Sequence, residues 1–256
     1  MGKRGKHQYE INKKVLALSI LRLLFLIALI ISIIYIVKWY IDSKQNKVLE
    51  EKISKTIVME NIENEEAQNT KYKVDFARLK EINNETVAWL KVNGTDIEST
   101  VVKSNNNSYY LNHNFEKKYN SAGWIFADYR NKFDGTDKNI VIYGHNMKDN
   151  SMFGTLKNIL KEEWYNNEEN YIVNLITENE EQKYEVFSIY QIKSEDYYID
   201  TDFKNNEFEN FVETLKNRSV KNFNLGIASE DSILTLSTCA NNNKYRVVLH
   251  AKKVDK

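Results

Sequence analysis

Cysteine occurs once in the 256 residues, at Cys239, so no disulfide can brace this chain from within. An excess of charge of either sign is also missing. Its 36 Lys and Arg balance 36 Asp and Glu, which removes the basic face that a nucleic-acid-binding protein needs. Proline is absent while Asn, Lys, Ile and Tyr abound, a bias read as AT-rich coding with no functional content. No internal repeat is evident. No cluster of ligating side chains has metal-site spacing, so neither a metal nor a cofactor is expected.

What the sequence does have begins near the N-terminus. Lys3, Arg4, Lys6, Lys13 and Lys14 precede VLALSILRLLFLIALIISIIYIV, an apolar run of 23 residues, 15–37, interrupted only by Ser and Arg22. At a rise of about 1.5 Å per residue it spans a hydrocarbon core of roughly 30 Å. It is too long for the apolar core of a signal peptide, and no small-residue cleavage site follows. The basic cluster makes residues 1–14 cytoplasmic under the positive-inside rule and places everything after the span outside. Arg22 would cost at least about 2.5 kcal/mol at the bilayer centre. Lying in the first third of the run, it can snorkel to the cytoplasmic headgroups. The competing reading, a buried core helix, has no need of so long an apolar run.

Residues 38–70 are charged and weakly periodic and read as an extracellular stalk helix that frays towards NIENEEAQNT, or as a disordered linker. Residues 71–256 form one domain. VDFARLKEIN opens it as a short amphipathic helix with Val74, Ala77, Leu79 and Ile82 near one face. Eight segments then read as strands: TVAWLKV, IESTVVKS, GWIFADY, NIVIYGHN, YIVNLIT, YEVFSIYQI, ILTLSTC and YRVVLHAKKV. Each is short, rich in β-branched and aromatic residues, and bounded by turn residues. Helices are expected in SMFGTLKNIL and NNEFENFVETLKNRS. The fold class is therefore mainly β, a mixed barrel of eight strands with peripheral helices, preceded by a transmembrane helix and helical stalk.

Period two in ILTLSTC puts Leu234 and Leu236 on one side and Ile233, Thr235, Ser237 and Cys239 on the other. The leucines face the core, which leaves Cys239 at a strand end on the opposite face. After ANNNK the returning strand carries Arg246, Val248 and His250 on one side, so Cys239 and Arg246 can flank one patch of an antiparallel hairpin. A guanidinium lowers the pKa of a thiol beside it and can donate to a developing oxyanion. A base is still required. His7 is cytoplasmic in this topology, His113 sits in a polar surface stretch, and His250 has the place of a packed strand residue. His145 ends an apolar strand at a strand-to-loop transition, where catalytic groups collect. Residue types alone leave two readings open, a Cys–His pair and an inert buried thiol.

Taken together, NIVIYGHN, MFGTLKNIL, the Thr-Leu-x-Thr-Cys of ILTLSTC, and Arg246 seven residues after Cys239 resemble the sortases, cysteine transpeptidases of Gram-positive cell surfaces. The helix before the last strand pair and DYRNK resemble class B in particular. The resemblance covers about residue 71 to the end and implies a sortase-type barrel. Carried over by position, the catalytic residues fall on Cys239, His145 and Arg246. Sorting-peptide contacts fall on Asn107 and Leu111 in NSYYLNH, on Ser194, Tyr198 and Ile199 in SEDYYID, and on Ser237. The acidic residue that often follows the class B cysteine is Ala240 here.

The resemblance implies a membrane-tethered enzyme that cleaves a C-terminal sorting signal of the type Asn-Pro-x-Thr-(Asn/Gly) after Thr. Its partners are surface proteins bearing that signal and an amine of the peptidoglycan cross-bridge or of its lipid II-like precursor. A lone cysteine fits this chemistry, because a partner thiol would oxidise the nucleophile. Two alternatives remain: a surface cysteine peptidase that releases the acyl group to water, and an idle membrane-anchored peptide-binding module.

Overall fold

The computed structural model describes residues 13–55, 57–64, 67–204, 207–239 and 245–254, with side chains in 14–55, 72–204, 207–238 and 245–254. Two compact units divide it, Met1–Asp42 and Ser43–Lys256. A single helix, α1 (Lys13–Ser54), runs through the first and into the second. In the first unit its apolar side chains are exposed on all sides, Phe25 at 68 % and Ile34 at 60 %, and it is long and apolar enough to cross a membrane. Its two mid-run hydroxyls bond back into the helix, Ser19 Oγ to the Val15 carbonyl at 2.9 Å and Ser32 Oγ to that of Ala28 at 2.8 Å. Both serine hydroxyl protons are thereby satisfied within the helix.

The second unit begins inside the stretch read from sequence as stalk. Leu49 and Ile53, on the last turns of α1, are buried in its main apolar core. Helix α1 stops at Ser54, and β1 (Ile57–Asn64) pairs antiparallel with β2 (Ala67–Val74). The expected fraying stalk helix up to about residue 70 is thus a helix end followed by a hairpin. The few apolar residues of 57–74, Ile57, Val58, Met59, Ile62, Tyr72 and Val74, stand too unevenly among polar ones to show a strand period. Helix α2 (Phe76–Ile82) follows, capped by Asp75, whose carboxylate accepts from the Arg78 N–H at 3.0 Å. It buries Phe76 and Leu79 while Ala77 is exposed, which turns its apolar face by one residue from the expected one.

The barrel strands are β3 (Thr86–Val92), β4 (Glu98–Val102), β5 (Phe126–Ala127), β6 (Asn139–His145), β7 (Ile172–Ile176), β8 (Glu181–Lys193), β9 (Ile233–Cys239) and β10 (Tyr245–Val254). They close in the order β10-β8-β7-β3-β4-β5-β6-β9, the eight-stranded barrel expected from the sequence. The β4–β5 and β6–β9 pairs are parallel and the others antiparallel. Strand β5 is shorter than GWIFADY suggested. Gly123 has φ +60, and the Asp128 carboxylate draws in the N–H of Arg130 at 3.0 Å, bending the chain at both ends. SMFGTLKNIL holds a 3-10 turn over Leu156–Leu160, followed by α3 (Glu162–Tyr165). A Cβ on Gly154 would meet the Met147 carbonyl at 2.5 Å, so the chain turns tightly there before any helix begins.

Leu234 and Leu236 join Leu90, Ile142, Leu175 and Leu249 in the main core, as their period predicts. The other face of β9 is also covered. Helix α4 (Glu207–Arg218) places Phe208, Phe211, Val212 and Leu215 at helical spacing over Ile233, Val248 and Phe187. Glu207 and Glu209 in its first turn and Lys216 and Arg218 in its last oppose the helix dipole.

Candidate functional site

Strands β6 and β9 run parallel, and their register pairs His145 with Cys239 as the last residues of both. The two backbones therefore sit one strand spacing apart, about 4.8 Å, at one rim of the barrel. Strand β10 pairs with β9 as far as Val248 and Ser237, and Arg246 lies two residues beyond that pair, beside the end of β9. The Arg246 guanidinium donates from Nη1 to the Thr238 carbonyl at 3.1 Å and from Nη2 to Ser194 Oγ at 3.2 Å. Thr238 Oγ1 accepts from the Val247 N–H at 2.9 Å, which pins the start of β10 to the end of β9. The side chain of Cys239, like Ala240, lies outside the described residues.

His145 is buried, and its Nε2–H donates to the Leu111 carbonyl at 2.7 Å. That bond fixes the neutral tautomer and leaves the lone pair on Nδ1. Nδ1 is buried and has no hydrogen-bond partner among the described residues. Burial pushes the imidazole below its usual pKa, and the Leu111 carbonyl opposes that only in part. Glycines allow close packing of the segments on either side of the histidine. A Cβ on Gly144 would meet the Phe153 ring at 2.6 Å, and one on Gly123 would meet the carbonyl oxygens of Tyr110 and Leu111 at 2.3 and 2.8 Å. The Trp124 N–H donates to the Tyr110 carbonyl at 3.0 Å and holds the 3-10 turn Tyr109–Leu111 beside the histidine.

A groove of about 240 Å³ opens beside this rim. It is lined by Asn107 and Leu111 from the segment after β4, by Asp196, Tyr198 and Ile199 from the segment after β8, and by Phe126, Tyr143 and Arg246 from β5, β6 and β10. Four of the six residues expected to contact a peptide, Asn107, Leu111, Tyr198 and Ile199, line it. Ser194 lies beside it as a partner of Arg246. Ser237 is fully buried, and its hydroxyl meets Tyr198 Oη at 3.0 Å beneath the groove. Tyr143, Phe126 and Asp196 are lining residues the sequence reading did not name. Tyr143 was legible, since it stands two residues before His145 on the same strand face. Phe126 is its register partner on β5.

The other histidines stand apart from the rim. His113 stacks on Tyr109 at 4.1 Å, and its Nδ1 lies 2.8 Å from the Tyr109 carbonyl. His250 is fully buried in a polar chain under α4. Thr235 Oγ1 gives its proton to Asn139 Oδ1 at 2.7 Å, so it accepts from His250 Nδ1 at 2.9 Å, and Tyr190 Oη donates to Nε2 at 2.8 Å. Burial holds this ring neutral, with its pKa pushed down to about 3. Among the described residues no group of three or more His, Cys, Asp or Glu is arranged to hold a metal ion.

The sortase domain model matches residues 90–254. Sortase B of Staphylococcus aureus is 33 % identical over 223 residues, covering 87 % of this chain and 89 % of that protein. Sortase B of Listeria monocytogenes is 35 % identical over 192 residues, covering 73 % and 77 %. Among solved structures, sortase B from B. anthracis in complex with AAEK1 superposes with a TM-score of 0.73 at 32 % identity, over 85 % of this chain and all of that one. The Staphylococcus aureus sortase B–substrate complex gives 0.66 at 34 %, over 70 % of this chain and 84 % of that one. A sortase B complexed with triglycine gives 0.66 at 34 %, over 70 % and 85 %. The chain belongs to the sortase family and, within it, to class B. Its chemistry is that of the family, cysteine transpeptidation at the cell wall.

Proposed function

We propose that this enzyme cleaves a C-terminal sorting signal of the type Asn-Pro-x-Thr-(Asn/Gly) after Thr and joins the new carboxyl end to an amine of the peptidoglycan cross-bridge or its lipid-linked precursor. The pairing of His145 with Cys239 at the ends of adjacent parallel strands carries this reading. Cys239 passes its thiol proton to His145 Nδ1, and the resulting thiolate attacks the Thr carbonyl carbon, so that a C–S bond forms as the oxygen takes up charge. Arg246 faces that oxygen. Two of its nitrogens are anchored to Thr238 and Ser194, and the remaining N–H groups are available to the oxyanion. The C–N bond breaks, and His145 protonates the departing amine. The acceptor amine then attacks the thioester, His145 takes its proton, and the C–S bond breaks to return the thiolate. Since Nε2 is held by Leu111, Nδ1 is the nitrogen that passes these protons.

Asn107, Leu111, Tyr198 and Ile199 receive the peptide along the groove, with Ser194 and Ser237 supporting Arg246 and Tyr198 from behind. A substrate complex and a triglycine complex of related sortases B favour a sorting peptide on one side and an amine acceptor on the other. Residues 15–37 anchor the enzyme, with residues 1–14 cytoplasmic and the barrel outside. There the donor protein, the acceptor and the enzyme meet at one membrane face.

The test is product analysis with a quenched Asn-Pro-Gln-Thr-Asn peptide and triglycine. The expected product carries triglycine on the Thr carboxyl. Cys239→Ala should abolish turnover, and Arg246→Ala should lower kcat/KM about 10²–10³-fold. Hydrolysis alone at saturating amine would make the protein a cysteine peptidase. Turnover that survives Cys239→Ala would overturn the mechanism.

A further inference from the structure

Asp128 is fully buried directly behind the groove, and none of the chemistry above uses it. Its Oδ1 accepts from the Arg130 backbone N–H at 3.0 Å and from Arg130 Nε at 2.8 Å. Its Oδ2 accepts from Arg130 Nη2, Asn107 Nδ2 and Tyr143 Oη, each at 2.8 Å. Arg130 Nη2 then reaches the Ile199 carbonyl at 2.8 Å. The Asn107 amide cannot turn over, because its oxygen accepts from the Tyr129 N–H at 2.9 Å. One carboxylate thus joins three lining elements: the loop of Asn107, strand β6 at Tyr143 and, through Arg130, the segment of Ile199. We propose that Asp128 and Arg130 are positioning residues that fix the spacing between the two walls of the groove, and so set how tightly the sorting peptide binds, without touching it.

Positioning accounts for this network better than simple bracing does. A buried ion pair contributes little net stability compared with apolar packing of the same volume, so the energy of the fold does not account for it. The far ends of the network, Asn107, Tyr143 and the Ile199 carbonyl, also all belong to residues that line the groove. Arg130 Nη2 has a proton for each of its two acceptors, and only the forked, planar guanidinium can hold the carboxylate bidentately and still reach Ile199. A lysine offers a single point of attachment. The charge on Asp128 holds the donors together. Burial would push its carboxyl up, but the hydrogen bonds from Arg130, Tyr143 and Asn107 outweigh burial and hold it below the usual range.

This inference rests on the peptide-binding role of the groove, and the experiment separates the two. Full-length enzyme in detergent is assayed with the quenched Asn-Pro-Gln-Thr-Asn peptide and triglycine, for wild type, Arg130→Met, Arg130→Lys, Asp128→Asn and the double variant Asp128→Asn/Arg130→Met. The rate at which iodoacetamide alkylates Cys239, which needs no groove, is measured on each. The expected result for Arg130→Met and Arg130→Lys is a KM raised about tenfold, the worth of one charged hydrogen bond. The variants should keep kcat within about twofold and alkylate at the wild-type rate, since the rim chemistry is untouched. The double variant should be no worse than Arg130→Met, because both changes cut one linkage. A wild-type KM in folded Arg130→Met, or kcat and alkylation falling together with KM, overturns the clamp and leaves the enzyme's function standing. Failure of the wild type itself to cleave the peptide defeats the reading of the groove. Should Asp128→Asn or Arg130→Met fail to fold, Arg130→Lys, which keeps a positive charge beside the buried carboxylate, and the double variant, which leaves no unpaired carboxylate, decide the question.

Discussion

Gly123 carries a conformational demand that no other residue can meet. Its φ is +60, and a Cβ there would lie 2.3 Å from one backbone oxygen and 2.8 Å from the one that orients His145. Gly123→Ala should cost about 1–3 kcal/mol in strain. It should also lower kcat, by up to about a hundredfold for a displacement near 1 Å. Urea unfolding and steady-state kinetics on one preparation check both, and normal kcat in a destabilised protein would disconnect this turn from the histidine. His250 makes a different prediction. It is folded neutral at about 3 against an ordinary value of 6.5, so the unfolded chain binds the extra proton between those values. Its contribution is complete above about pH 6.5 and declines as pH falls towards 3, with a slope near 1.4 kcal/mol per pH unit. Denaturation between pH 4 and 7 should show this slope in wild type and a shallower one in His250→Gln. Equal slopes would remove His250 as the source.

At the scale of elements, the last turns of α1 belong to the barrel's own unit. Leu49 and Ile53 are buried in its core, and Asn46 Nδ2 donates to the Gly123 carbonyl at 3.2 Å. Truncation after Asp42 should therefore leave the melting temperature unchanged. Truncation after Ser54 should cost about 1.5–3 kcal/mol for each lost aliphatic contact, with activity falling as the Gly123 turn loses its donor. Equal melting temperatures for the two truncations would defeat this. The sequence supports the barrel well and the stalk poorly, for one physical reason. Strands such as NIVIYGH and ILTLSTC alternate or run apolar strongly enough to declare themselves, and the parallel register that brings their ends together follows once the sheet closes. In 43–74 a few apolar residues stand among charges, so neither the buried turns of α1 nor the β1–β2 hairpin left a clear period. Asp128 was illegible for another reason. It sits in DYRNK as one more loop acid, and only folding brings Asn107, Tyr143 and Ile199 to it.

For the whole molecule, the consequence of a lone cysteine is that the enzyme carries a single thiol label, at the residue proposed as its nucleophile. A membrane-impermeant maleimide added to intact cells reaches thiols outside the bilayer and none inside, and this chain offers it Cys239 only. If residues 1–14 are cytoplasmic and the barrel extracellular, wild type should label on intact cells and Cys239→Ala should stay blank. Moving the thiol tests the other end. His7→Cys in the Cys239→Ala background should label only after permeabilisation if the proposed orientation, with the basic N-terminal end inside, is right. The paired variants separate topology from reactivity. If wild type and His7→Cys both fail to label on intact cells, and Cys239 stays unlabelled after permeabilisation yet labels after denaturation in place, the thiol is inaccessible in the fold and the nucleophile assignment is lost. If His7→Cys labels on intact cells, the chain faces the other way, and a transpeptidase of the outer surface cannot be its role.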